Sequence, residues 1–159
     1  MDDNSVTKNS PVPNASFFRE VECLLRRHIK VAINVQGGSM RPFLRNGDKV
    51  LLIPARRKKI SRGDIVLAHT SGGVLLHRVV RMRREEIWLS GDANSRQLEH
   101  ITKSDIIGIV DMAWRKESLL CINSFPRRIL AFFWYLLRPF RGYILGACYR
   151  LKHIKKRMI

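Results

Sequence analysis

Ser39, His77 and Asp92 each stand in a short block bounded by turn residues, and their types are those of a nucleophile, a proton acceptor and an orienting acid. A serine hydroxyl is a weak nucleophile at neutral pH, so it needs a base within hydrogen-bond reach and usually a group that aligns that base. Ser39 follows Gly37-Gly38 and precedes Met40-Arg41-Pro42. The glycines permit a sharp turn, Pro42 restricts Arg41, and backbone N–H groups at such a turn can hold a developing oxyanion. His77 lies among Val74, Leu75, Leu76, Val79 and Val80. On a strand it shares a face with Leu75 and Val79 while Arg78 points the other way. A histidine among such neighbours is either a satisfied core residue or a desolvated base kept neutral at pH 7. Asp92, in Ser90-Gly91-Asp92-Ala93-Asn94, either orients His77 or closes an Asx turn on its own backbone. Asp48 and Asp64 sit in further Gly-Asp turns and read as structural, and Glu99 and His100 are placed to add a polar contact.

The elements that must position these residues are mostly strands. Residues 1 to 14 are rich in Ser, Asn, Asp and Pro and read as a loose tail. From Ser16 to about Ile29, the spacing of Phe17, Val21, Leu24, Leu25 and His28 predicts one amphipathic helix, packed on the core or lying on a membrane. Strands are predicted around Val31–Val35, Lys49–Ile53, Asp64–Ala68, Val74–Met82, Glu85–Ser90 and Ile106–Trp114, with Ser118–Ile122 as a further candidate. Five to seven short strands at regular spacing point to a mainly β fold, a small closed or strongly coiled β-barrel. After Phe125-Pro126 the pattern changes. Arg127–Leu137 and about Phe140–Lys156 read as two amphipathic helices separated by Arg138-Pro139. The domain division is therefore 1–14, 15–122 and 123–159.

The chain has 159 residues, 45% of them hydrophobic, which is enough for one cored domain with appendages. Its net charge of +17 calls for an anionic partner or surface. After Glu117 there is no acid but there are nine Arg or Lys, mixed with Phe132, Phe133, Trp134 and Tyr135. That mixture suits an anionic membrane surface better than nucleic acid. No leader-like segment opens the sequence and no run of apolar residues is long enough to span a bilayer, so peripheral association at the cytoplasmic face is expected. Cys23, Cys121 and Cys148 are isolated and read as small buried hydrophobes. With no Cys-x-x-Cys or His-x-x-x-His spacing, neither a metal nor a cofactor is expected.

Five blocks in order carry a resemblance. Ser39-Met40-Arg41-Pro42, Asn46-Gly47-Asp48, Arg62-Gly63-Asp64-Ile65-Val66, His77-Arg78-Val79-Val80 and Gly91-Asp92-Ala93-Asn94 resemble the boxes of the type I signal peptidases, a family of membrane serine proteases. Ser104-Asp105-Ile106-Ile107-Gly108 is similar to a late strand of that family, and the likeness spans roughly residues 31 to 112. It implies an all-β peptidase fold in which Ser39 attacks a peptide carbonyl, with small side chains beside the cleaved bond. Most bacterial members use a lysine base; His77 at that position looks like the endoplasmic-reticulum and archaeal branch. The resemblance gives Asp92 the orienting role, with Glu99 as the other acid nearby. Gly37 replaces the hydroxyl residue that several members carry two positions before the nucleophile, which leaves backbone donors for the oxyanion.

The expected activity is thus a serine endopeptidase acting on signal or leader peptides of a preprotein at or near a membrane. Two alternatives remain. A self-cleaving regulator of the repressor type shares the Ser-x-x-Pro and Gly-Asp features, but no Ala-Gly or Cys-Gly bond precedes Ser39. A non-catalytic basic module for lipid or nucleic acid accounts for the charge but not for the ordered blocks. Substrate identity and oligomeric state are not legible in the sequence.

Overall fold

A computed structural model describes residues 15–94, 97–120 and 122. Among the described residues one α-helix, α1 (Ala15–Arg26), is followed by β1 (Val31–Asn34), β2 (Lys49–Pro54), β3 (Ile65–Thr70), β4 (Gly73–Arg83), β5 (Glu86–Ser90), β6 (Glu99–Thr102), β7 (Ile106–Arg115) and β8 (Ser118–Leu120). All pairings are antiparallel, in the order β1-β2-β7-β3-β4-β5-β6, with β8 added to β7.

The central strands are apolar on both faces, and the two faces feed two cores. On β3, Ile65 and Leu67 join one cluster and Val66 and Ala68 the other. The first cluster holds Val21 and Leu25 of α1, Met40, Leu44 and the inward residues of β2 and β7. The second gathers Ile53, Val79, Ile87, Leu89, Ile101, Ile106 and Ile109. Each fully buried aliphatic chain contributes about 1.5–3 kcal/mol. A 12-residue helix is marginal in water, so α1 depends on docking Val21 and Leu25, which are 3% and 2% exposed.

Three expectations change. The sheet is open rather than a closed barrel: among the described residues β1 and β6 are its two edges and do not pair with each other. Irregular register at Leu51/Leu52, Leu67/Ala68 and Val79/Arg81 bends the strands, which coils the sheet without sealing it. The strand β6 was not anticipated, because Glu99-His100-Ile101-Thr102 buries only Ile101 and has no apolar run. Cys23 is exposed on α1, on the face opposite the one that docks. No described helix is long and apolar enough to cross a membrane. The N-terminal tail, Cys121, Cys148 and the two C-terminal helices lie outside the described residues.

Candidate active site

Ser39 lies half-buried in the turn that joins β1 to β2. Arg41 N–H donates to the Gly38 carbonyl (3.1 Å) and Leu44 N–H to Met40 (2.9 Å). Met40 and Leu44 are 2% and 0% exposed and plug the turn into the first core, so the segment carrying the hydroxyl is anchored on both sides of Pro42. Its far end is held by Asp48. That carboxylate accepts from Arg45 N–H (2.7 Å) and from the Arg115 guanidinium (2.9 and 2.8 Å), and Arg115 also donates to the Phe43 carbonyl (3.2 Å). Burial pushes the Asp48 carboxyl up, but the hydrogen bonds from Arg115 and Arg45 outweigh it and hold the group below its ordinary range.

His77 occupies the first half of β4, opposite Val66 of β3, and is 4% exposed. Burial disfavours the imidazolium and lowers its pKa below 6.5, although the charges of Glu99 and Asp92 act in the opposite direction. The ring is therefore neutral at pH 7 and able to accept a proton. Its Nδ1 is buried and has no hydrogen-bond partner among the described residues. Its Nε2 faces Gly91: a Cβ on that glycine would stand 3.1 Å from Nε2 and 2.7 Å from the Ser39 carbonyl oxygen. The nucleophile turn and the imidazole thus both close on one point, and a hydrogen bond from Ala93 N–H to the Ser39 carbonyl (2.7 Å) ties the 91–94 turn to the serine.

Asp92 is brought into this cluster without bonding to His77. Its two oxygens accept from Arg78 Nε (2.8 Å) and Nη2 (2.7 Å), and both side chains are about 5% exposed or less. The orienting bond expected from the sequence is replaced by a buried ion pair with the residue next to the base. The reason is register. Arg78 pairs with Ser90 across β4 and β5, so the turn that begins at Gly91 delivers Asp92 to Arg78. Arg78 Nη1 also donates to the Gly63 carbonyl (2.8 Å), and its guanidinium lies over the Phe43 ring at 5.1 Å. A single side chain therefore bridges the base strand, the Asp92 turn and the segment after the nucleophile. Sequence alone indicated only that Arg78 lies beside His77; its partner depends on which strand β4 pairs with.

Asp64 accepts from Ser61 N–H (2.8 Å) and Lys58 Nζ (2.9 Å), a turn anchor as expected. Glu99 acts on His77 through its charge, whereas His100 stacks against Trp88 (5.0 Å between rings). No group of His, Cys, Asp and Glu fit to hold a metal occurs among the described residues.

Ser39 and His77 line the same open cavity of about 670 Å³. One wall is Ile33–Gln36, at and just after β1; the other is Gly72–Leu76, the start of β4; Phe17 and Phe18 of α1 form the end. The last two rings meet edge to face at 5.4 Å, and α1 was not read from the sequence as part of the site. β1 pairs only with β2, and β5 pairs with β4 only from Arg78 onward. Among the described residues, β1 and residues 73–77 of β4 thus each pair with a single neighbouring strand.

Residues 6–111, two thirds of the chain, match the family model described as Peptidase S24-like. No curated protein matches the chain at a significant level.

Proposed function

Because this chain belongs to the Peptidase S24-like family, which includes serine peptidases and self-cleaving repressors, we propose that it is a serine endopeptidase that cuts an extended, apolar segment such as a signal or leader peptide. The observation that carries this reading is the shared cavity: Ser39 and the buried, neutral His77 border one groove walled by β1 and the start of β4, each of which pairs with a single strand among the described residues. An extended peptide entering there adds backbone hydrogen bonds to β1 and to the first half of β4, as in strand addition at a sheet edge. The apolar lining, with Ile33, Val35, Leu67 and Leu75, selects apolar side chains.

In the proposed reaction Ser39 Oγ attacks the peptide carbonyl as its proton passes to His77, and backbone N–H groups of residues 38–40 receive the oxyanion, those of Gly37 and Arg41 being bonded to Asn46 and the Gly38 carbonyl. The imidazolium then protonates the leaving amine, and water releases the acyl group from Ser39. Arg78 and Asp92 position the two reacting segments. The basic, apolar character of residues 123–159 supports an anionic membrane surface as partner.

The test is cleavage of an apolar leader peptide by the wild type, Ser39→Ala and His77→Ala. Where nucleophile and base act as a unit, loss of either costs on the order of 10⁶ in kcat; wild-type turnover by either variant overturns the assignment. Burial holds His77 below 6.5, so the rate rises with pH through an apparent value under 6.5 and is flat at pH 8. A rise confined to the lysine range would exclude His77 as the base.

A second reading, self-cleavage, is favoured by one feature: Ala15, Phe17, Phe18 and Arg19, in the first turns of α1, line the same groove as Ser39. Incubating the purified full chain distinguishes the two: a Ser39-dependent loss of an N-terminal fragment, at a rate independent of protein concentration, marks the intramolecular reaction.

A further inference from the structure

A second cavity, of about 490 Å³, lies between the C-terminal half of α1, the short helical turn after β2 and the one before β7. It shares only His69 with the groove that holds Ser39. Its size is that of small-molecule sites, and its floor is apolar, formed by Leu25, Pro54, Ala55, Ile106 and Ile107. Its rim is cationic: Arg26, Arg56 and Lys103, with His28 and His69 alongside.

The charges around it do not balance. Glu22 is the sole acid among the described lining residues. It is already shared between Arg26 (2.8 Å) and His69 (3.1 Å), and Arg26 holds it below its ordinary range. Lys103 reaches Glu85 at 2.8 Å, but those side chains are 43% and 72% exposed, an arrangement that holds a lysine weakly. Arg56 is exposed and has no acidic partner among the described residues. A concave surface lined by one sign of charge focuses its field, and an arginine fork beside a lysine suits phosphate oxygens.

We propose that this second cavity binds an organic phosphate, its anionic group held by Arg56 and Lys103 and its apolar body resting on Leu25, Pro54 and Ile106. The site is independent of the Ser39–His77 assignment. Its lining shares only His69 with the Ser39 groove, and its occupancy is measured as binding rather than as turnover.

Isothermal titration of the full chain at low salt with 1-naphthyl phosphate, and separately with dihexanoyl phosphatidic acid, tests it. Saturable binding is expected, weakened about tenfold or more by Arg56→Ala and by Lys103→Ala and unchanged by Arg83→Ala, an equally basic change elsewhere on the surface. Inorganic phosphate, which lacks the apolar body, should bind at least about tenfold more weakly. Either organic probe showing this pattern supports the site, and the tighter one identifies its source as a soluble ester or a lipid headgroup. Binding that fails to saturate, that survives both alanine variants, or that falls equally with Arg83→Ala overturns the proposal, as does inorganic phosphate binding as tightly as the organic probes.

Discussion

Gly63-Asp64 and Gly91-Asp92 are the same dipeptide doing two different jobs. Gly63 is at φ 94°, a backbone region that side chains disfavour, and Asp64 then closes the turn locally on Ser61 and Lys58. Gly91 needs no unusual dihedral. It is glycine because the Ser39 carbonyl and the His77 ring occupy the space of a Cβ. Asp92 reaches back to Arg78, on the neighbouring strand. One turn organises its own backbone; the other fastens two distant segments that carry the candidate chemistry. The Gly63 turn is nevertheless drawn into the second device, because Arg78 donates to the Gly63 carbonyl as well as to Asp92.

The largest effect that separates the two turns is expected from Asp92→Ala. Removing it leaves the Arg78 guanidinium, 5% exposed, without its counter-charge, which typically costs about 3–5 kcal/mol. Chemical denaturation should show that loss, and peptide cleavage at a temperature where the variant is still folded should fall with it. Full activity in a folded Asp92→Ala would separate the ion pair from the chemistry and undo the contrast. Gly91→Ala is the finer probe. Its Cβ must displace the Ser39 carbonyl or the imidazole, for about 1–3 kcal/mol of overpacking, so turnover should drop further than stability explains. Equal kcat in wild type and Gly91→Ala would show that the closeness of these groups does not matter. Asp64→Ala should have the smallest consequence, about 1–2 kcal/mol for the lost turn bonds. Lys58 is 34% exposed and can return to water, so peptidase activity should survive, and its loss would make the two turns functionally alike.

The pH response separates the regions in another way. His77 is buried with a lowered pKa, so the unfolded chain takes up a proton near 6.5 before the folded one does. The stability from its neutral burial is complete above 6.5 and is lost as pH falls through the lowered folded value.

Legibility followed the range of the interactions. Apolar runs bounded by Gly, Asp and Pro placed β2, β3, β4, β5 and β7 within a residue or two of their observed ends, because buried strands stay apolar and turn residues punctuate them. Ala15–Arg26 was readable as an amphipathic helix, though whether it packed on the core was not, and its contribution of Phe17 and Phe18 to the groove was hidden. β6 escaped because a four-residue edge strand with one buried side chain leaves no periodic trace.

What the sequence determined by itself is the supply and order of the chemistry: a serine after two glycines, a histidine inside an apolar strand, and aspartates in turns. These are local matters of residue type and backbone preference. Tertiary structure alone decided that the sheet stays open among the described residues, that β1 and the start of β4 flank Ser39 and His77, and that Asp92 belongs to Arg78 rather than to the imidazole. Those outcomes depend on strand order and register, which join residues far apart in the chain, and no local pattern of side chains records which distant strand will be the neighbour.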